Sequence, residues 1–194
     1  LVEKDGIYYL KSTDTPYTGS IHETVNLPTK SLKKNANNQS QKNFELYELK
    51  GHFLNGIKTG VWETYSVEGV LFAKEFYKGG QLDGPAEYYN DNGQLQSKGN
   101  YKNSNYDGVW EYYHENGNPK EVENFAFGIL NGTREQYGSG GQLYIKATYK
   151  DGKLDGPWVY IDPYDGWLYK KGQYTVGKKT GTWTFFTMLG DIEK

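Results

Sequence analysis

Hydrophobic and polar residues alternate in short runs along most of this chain, and glycines separate the runs. Over residues 60–84, one run opens with Gly-Val-Trp-Glu-Thr-Tyr, a turn follows, and a second run extends to Tyr77. Alternation with a period of two places successive side chains on opposite faces of a β-strand. No apolar stripe with the helical period continues beyond two turns. The pattern therefore predicts β-hairpins.

The same hairpin pattern recurs at a fixed interval. Each unit opens with a leading glycine, and these are Gly60, Gly84, Gly108, Gly132, Gly156 and Gly181. The spacings between them are 24, 24, 24, 24 and 25 residues, and the extra residue falls in the turn near 162–165. A fixed period of a few tens of residues indicates stacked supersecondary units. We predict an all-β protein, an elongated twisted antiparallel sheet of stacked 24-residue β-hairpins.

Two kinds of connection are expected between the strands. Asn92-Gly93 and Asn116-Gly117 are typical of tight hairpin turns, because asparagine and glycine accept positive φ at low cost. The recurring segment Tyr/Phe-x-x-Gly-x-x-x-Gly, which ends at the next leading glycine, predicts a loop. Ser104 replaces its middle glycine once.

The repeat is irregular in the first quarter of the chain. Residues 26–43 are rich in lysine, asparagine and glutamine, which predicts a polar loop inserted into the first hairpin. We therefore divide the chain into residues 1–52, N-terminal strands with this loop and an atypical first repeat, and residues 53–194, a regular array with a C-terminal cap. Charged residues near the C-terminal end, with Lys178 and Lys179, are expected to guard the last strand against pairing.

Aromatic residues follow the leading glycines at two fixed positions, which period-two alternation places on one face of the sheet. The candidate binding residues on this aromatic face are Trp62, Tyr88, Trp110, Tyr112, Trp158, Tyr160 and Trp183. Exposed rings in such a row suit an extended peptide, a glycan or another chain. Alternatively, the rings pack against one another as the core of the sheet.

Little in the sequence indicates catalysis. The 22 basic and 24 acidic residues leave a net charge of −2, without the basic excess of nucleic-acid-binding proteins. There are no cysteines, the three histidines lack metal-ligand spacing, and no Gly-x-Ser-x-Gly elbow is present. We therefore predict no enzyme activity, no cofactor and no metal. An enzyme with its site in the loop after Asn26 is the rival, but that stretch has no polar constellation.

Two columns of carboxylates need separate interpretation. The first column comprises Asp83, Asp107 and Asp155. Calcium binding is one hypothesis for this column, but hydrogen bonding within turns explains aspartate at these positions better. The second column is expected to face water, with basic neighbours across the strand; it comprises Glu63, Glu87, Glu111 and Glu135.

The unit Tyr-x-x-Gly-x-x-x-Gly-x-Trp-x-x-Tyr, with an Asn-Gly hairpin and a 24-residue period, resembles the MORN-repeat variant over about residues 53–186. The chain is similar to two bacterial groups within it, the YwqK-like antitoxin family and the exported 24-amino-acid repeat proteins. The resemblance implies an elongated antiparallel sheet used as an interaction surface. The chain departs from this repeat unit at three positions. Ala86 and Arg134 replace the tryptophan of the first strand, and Pro119 replaces a leucine of the second strand.

We therefore expect a non-enzymatic protein-protein interaction module, antitoxin-like or on the cell surface, with a protein partner of unknown identity and no nucleic acid. One alternative is carbohydrate or cell-wall binding through the aromatic face, which requires exposed tryptophans in a row. Another is membrane-lipid binding, which the net charge disfavours. A free terminal edge allows end-to-end self-association. The chain begins at Leu1, and the resemblance favours an exported or cell-surface location over a cytoplasmic one.

Overall fold

The computed structural model describes residues 1–11, 13–34, 40–164, 166–186 and 192. For residues 26–34 and 40–45 it describes the backbone only. The described residues form β-strands and turns, without a helix. The strands are β1 (Val2–Lys4), β2 (Ile7–Tyr9), β3 (Gly19–Lys34), β4 (Ser40–Leu54), β5 (Ile57–Ser66), β6 (Leu71–Lys78), β7 (Gln81–Tyr89), β8 (Leu95–Lys102), β9 (Asn105–Tyr113), β10 (Pro119–Ala126), β11 (Ile129–Tyr137), β12 (Leu143–Lys150), β13 (Lys153–Ile161), β14 (Leu168–Thr175) and β15 (Lys178–Phe185).

The strand order follows the chain. β1 and β2 form a two-stranded sheet, and the other strands form a 13-stranded sheet in which each interior strand lies between its two neighbours in sequence. The described pairings are antiparallel, so the sheet is a succession of hairpins. This confirms the predicted all-β class. The chain divides into two compact units, unit 1 with residues 1–84 and 88–93, and unit 2 with residues 85–87 and 94–194. The predicted division at 52/53 rests on repeat register and stays a prediction.

The predicted polar loop over 26–43 is wrong for most of its length. β3 continues to Lys34 and β4 begins at Ser40, and the two pair as far as Lys34 with Ser40. Residues 35–39 lie outside the described residues. A backbone ladder needs only two extended segments, so it forms without any hydrophobic signal in the sequence.

The shortest turns lie where a loop was predicted, at the middle glycine of Tyr/Phe-x-x-Gly-x-x-x-Gly. Phe127-Gly128 is a two-residue turn with φ of 52° and 78°, and Ser104 adopts φ of 62° in the equivalent turn. Two positive φ values are the mark of a type I′ hairpin turn, whose twist matches that of the flanking strands. The Asn116-Gly117 pair lies in a longer turn, in which His114 N–H donates to the Asn118 carbonyl at 2.9 Å.

Leading glycines lie inside strands, at bulges. Gly99 is the one residue of β8 between two registered pairs, whereas β9 has three residues there, 108–110. Gly108, the first of these three, adopts φ of 71°. Gly156 lies in the same kind of irregularity, opposite the stretch between Ala147 and Tyr149. A bulge increases the local twist and needs a residue that accepts positive φ, which explains the recurrent glycine.

Successive short turns are joined by backbone hydrogen bonds. In unit 2, the turn glycine of one hairpin donates its N–H to a strand of the preceding hairpin: Gly128 to the Tyr106 carbonyl at 2.8 Å and Gly152 to the Leu130 carbonyl at 2.9 Å. Gly177 donates to the Leu154 carbonyl at 2.7 Å. The turns of each hairpin are therefore completed by the hairpin before it.

Candidate functional site: the aromatic face

The aromatic face of unit 1 is closed over Trp62. This ring lies flat on Gly51, where an added Cβ would stand 2.3 Å from Cδ2 of the indole. Phe53 contacts it edge-on at 4.9 Å, and the Lys58 ammonium lies 4.2 Å from the centroid of the ring. Only 4% of Trp62 is exposed. Burial lowers the pKa of the Lys58 ammonium, although carboxylates nearby oppose this effect.

The N-terminal hairpin covers the end of this cluster. Tyr8 and Tyr17 pack on Phe53 at 4.6 and 6.1 Å, which leaves Phe53 buried. The Tyr8 N–H donates to the Gly56 carbonyl at 2.8 Å, which ties β2 to the turn after β4. The aromatic face of unit 1 is therefore a packed core at this end.

Trp110 has the same arrangement in unit 2. It lies flat on Gly99, stacks on Tyr106 at 4.1 Å, contacts Tyr101 at 5.1 Å and is fully buried. Its indole N–H donates to the Asn100 carbonyl at 2.9 Å. A buried tryptophan that stacks and also satisfies its N–H contributes both apolar burial and specificity to the core.

Arg134 replaces the tryptophan in a later hairpin, and the residue opposite it is then Glu123 rather than a small residue. The Arg134 Nε lies 3.1 Å from Glu123 and also contacts Glu121. The Tyr149 hydroxyl lies 3.5 Å from the same guanidinium. Burial raises the pKa of the Glu123 carboxyl, and Glu121 adds to this, whereas Arg134 opposes it. A polar cluster therefore interrupts the aromatic ladder of unit 2.

The aromatic face opens at β13–β15. Trp158 lies opposite Ala147 instead of a glycine and is half-buried, and it contacts Trp183 at 5.6 Å. The Lys170 ammonium lies 5.2 Å from the centroid of Trp158. Nearby Phe185 and Tyr169 are 40% and 50% exposed. We call this region the C-terminal aromatic surface, and it comprises Trp158, Tyr160, Tyr169, Lys170, Lys179, Trp183 and Phe185.

The structure separates the predicted binding residues into two groups. Trp62 and Trp110 belong to the core, so the chain lacks the row of exposed tryptophans that carbohydrate binding through this face requires. The other five are half-buried. Among them, the Tyr88 hydroxyl donates to Glu75 at 2.7 Å, and burial raises the pKa of the Tyr112 hydroxyl. Trp158, Tyr160 and Trp183 form part of the C-terminal aromatic surface, and their role in binding stays a prediction.

The opposite face carries the predicted glutamate column with basic neighbours. Lys146 Nζ lies 2.7 Å from Glu135, and the equivalent pair Lys98–Glu111 lies at 3.5 Å. The Tyr137 hydroxyl donates to Glu135 at 2.8 Å. Hydrogen bonds from Lys146 and Tyr137 lower the pKa of the Glu135 carboxyl. This face is therefore a solvated ladder of ion pairs, and such exposed pairs contribute about 0–1 kcal/mol each.

No metal centre is evident among the residues that the structure describes, since no three histidine, aspartate or glutamate side chains there come close enough to hold an ion. The aspartates considered for calcium lie within strands, just before the bulge glycines. His114 Nε2 donates to the Tyr137 carbonyl at 2.9 Å, so this histidine links two turns. Across the same described ranges, we find no helix of the length and apolar character needed to cross a membrane.

The fold and the repeat define a β-hairpin repeat protein. Three segments, residues 82–103, 106–126 and 130–151, match the sequence model of the MORN repeat variant. These segments coincide with the hairpins β7–β8, β9–β10 and β11–β12. MORN repeats are generally protein or membrane interaction modules, and the family is not an enzyme family. No curated protein matches the chain.

Proposed function

We propose that this chain is a non-enzymatic module that binds a protein partner through the C-terminal aromatic surface. The observation that carries the proposal is the contrast in exposure between the aromatic rings of different hairpins. Trp62 and Trp110 are buried, whereas Phe185 and Tyr169 are 40% and 50% exposed beside the half-buried Trp158. Large aromatic side chains at the centre of an interface supply most of its binding energy. Exposed rings clustered at one place therefore favour partner binding there.

The chemistry of the face favours a protein over the other ligands. Two lysines lie over the tryptophan rings, and the same rings offer apolar edges, a mixture typical of protein interfaces. Carbohydrate binding would need several planar rings presented in succession, and two of the tryptophans are buried. An antitoxin-like or cell-surface role is the specific form of this function that the resemblance suggests.

Site-specific photo-crosslinking in the native cells tests the proposal. Benzoylphenylalanine at Tyr160 or Phe185 should yield a discrete adduct with one protein, because both positions lie on the proposed surface. The matched control is the same probe at Tyr137, which lies on the ion-paired face. Absence of any adduct, or the same adducts from both faces, would contradict the proposal.

The identified partner then permits a quantitative test with purified proteins. Phe185→Ala should weaken binding at least about tenfold if this ring is an interface anchor. Tyr137→Ala should leave the affinity unchanged. Oligosaccharides and lipid vesicles serve as competitors in the same titration, and displacement of the partner by either would indicate that the surface binds that ligand instead.

A further inference from the structure

The turn between β10 and β11 presents apolar side chains to solvent. Phe127 lies at its apex and is 79% exposed, and Ile129, the first residue of β11, is 50% exposed. Ala126 pairs with Ile129 at the base of the turn. We call Ala126, Phe127, Gly128 and Ile129 the apolar tip. Single exposed apolar residues are common on protein surfaces, so exposure alone indicates little.

The backbone of the apolar tip makes phenylalanine a costly residue at its apex. Phe127 adopts φ of 52°, a conformation that asparagine and aspartate accept more readily than an aromatic residue does. The turns before and after it carry such residues at the same position, Asn103 with φ of 47° and Asp151 with φ of 48°. The fold therefore does not require an aromatic ring here. An exposed ring held in a strained turn indicates a functional contact.

The next turn along this edge of the sheet is basic. Lys150 and Lys153 pair directly across the strands at the base of the β12–β13 turn, where like charges destabilise a sheet. Within the part of the chain that the structure describes, no carboxylate lies within ion-pair distance of either ammonium group. The two turns adjoin, because a Cβ added to Gly152 would stand 3.5 Å from Cγ2 of Ile129. An apolar projection and unpaired positive charge therefore lie side by side.

We propose that the apolar tip inserts the ring of Phe127 into an apolar pocket of a protein partner, and that carboxylates on the rim of this pocket pair with Lys150 and Lys153. This site is separate from the C-terminal aromatic surface and does not rest on the proposed function. A large ring that fills a desolvated pocket is a typical anchor of a protein interface. Charge complementarity with the two lysines requires the acidic rim. Binding would thus use two features that each cost the free chain stability.

A pocket suits the apolar tip better than a flat lipid surface does. A planar surface would meet the adjoining turns together with the apolar tip, and those turns have the polar residues Asn103 and Asp151 at the apex. An anionic membrane repels the exposed Asp151 carboxylate. A pocket instead receives a single turn and leaves the apex beside it in water.

The test begins with the full chain carrying benzoylphenylalanine in place of Phe127, which identifies by photo-crosslinking in the native cells the protein that contacts the tip. That protein is then purified and titrated against the unmodified full chain by calorimetry. Phe127→Asn should weaken binding at least about tenfold, because the anchor ring is lost. The same substitution should raise the thermal midpoint of the free chain, since asparagine accepts the positive φ at lower cost. A ring with a merely structural role would lower the midpoint when removed.

Val176→Asn is the matched control. Val176 also lies exposed at a turn apex with φ of 49°, so its replacement relieves the same backbone strain two hairpins further along the chain. The affinity of this variant should stay within about twofold of wild type, because substitutions at separate sites act independently. The double variant Lys150→Glu, Lys153→Glu should weaken binding about tenfold at low salt and less at high salt, where charges are screened. Circular dichroism confirms that each variant is folded.

Three outcomes would overturn the inference. These are absence of an adduct from position 127, unchanged affinity of Phe127→Asn, and co-sedimentation of the full chain with phosphatidylserine vesicles that Phe127→Asn abolishes, which would assign the apolar tip to a membrane. An adduct from position 127 without one from Tyr160 or Phe185 would leave this inference in place while the proposed function fails. The reverse result would remove this inference alone.

Discussion

Gly99 tests the arrangement that closes the aromatic face. It lies in the interior of β8 with the Trp110 indole flat against it, and its φ is outside the left-handed region, so alanine adds a methyl group without backbone strain. At an ordinary position of this kind in a strand, alanine would be preferred over glycine by about 0.5–1 kcal/mol. We expect Gly99→Ala to destabilise the protein instead.

The magnitude follows from the distances. The new Cβ would stand 2.3 Å from Cδ2 of Trp110, and ordinary contact begins at 3.4 Å, so the ring must move by about 1.1 Å. Trp110 is fully buried and stacked on Tyr106, so overpacking costs about 1–3 kcal/mol. The shift also weakens the hydrogen bond to Asn100, worth about 1 kcal/mol. After the gain in backbone preference, we expect a net loss of about 2 kcal/mol.

Urea unfolding followed by circular dichroism measures this loss. Trp110→Phe and the double variant complete a cycle, in which the smaller ring should remove most of the penalty of the added methyl group. Ala147→Gly is the matched control, because Trp158 already packs opposite a Cβ there. Apart from the loss of one methyl group, this substitution should lower the free energy of unfolding by less than about 1 kcal/mol. Wild-type or greater stability of Gly99→Ala would refute the reasoning.

Three further predictions concern other parts of the chain. Val176 has φ of 49°, costly for a β-branched residue, so Val176→Asn should raise the free energy of unfolding by about 1 kcal/mol; an unchanged thermal midpoint would contradict this. Because burial raises the pKa of Glu123, the unfolded state loses this proton first, and stability should fall as the pH rises from about 4.5 through the folded pKa. In urea titrations at several pH values, the free energy of unfolding of Glu123→Gln should lack this fall. If the variant and the wild type instead show parallel dependence on pH, the prediction is wrong. Trp167 is 44% exposed, so Trp167→Phe should shift the fluorescence to shorter wavelength and reduce acrylamide quenching; an unchanged spectrum would place the exposed indole elsewhere.

The hairpins and their order could be predicted from alternation and the 24-residue period, because both depend on local backbone geometry. The position of the tight turns could not. Phe127 and Val176 occupy the first turn position with positive φ, although neither residue favours it. The neighbouring hairpin accepts the hydrogen bond of the following glycine, and this contact, absent from single-hairpin preferences, holds the turn.

The aromatic face was predictable as a set of columns, whereas the burial of each ring was not. The sequence does contain a signal for rings that pack flat on the neighbouring strand: a glycine lies eleven positions before Trp62, Trp110 and Trp183, and each ring lies on that glycine, although Trp183 is only half-buried. A hydropathy scale gives glycine and glutamate fixed values and takes no account of the residue across the strand, so it cannot reveal this contact. Arg134 shows the same rule in reverse, because the position eleven residues earlier is then Glu123.

The hydrogen bonds between successive short turns constrain how such a chain changes length over evolution. The Gly152 N–H donates to the Leu130 carbonyl of the preceding hairpin. The hairpin that contains Gly152 in turn supplies the Leu154 carbonyl, which accepts from the Gly177 N–H. Duplication or loss of a whole 24-residue unit therefore carries donor and acceptor together and leaves each junction intact. A single residue added within a strand would exchange the two faces. Growth by complete units is thus the easiest route to a longer array, and the longer turns are where a single extra residue is tolerated.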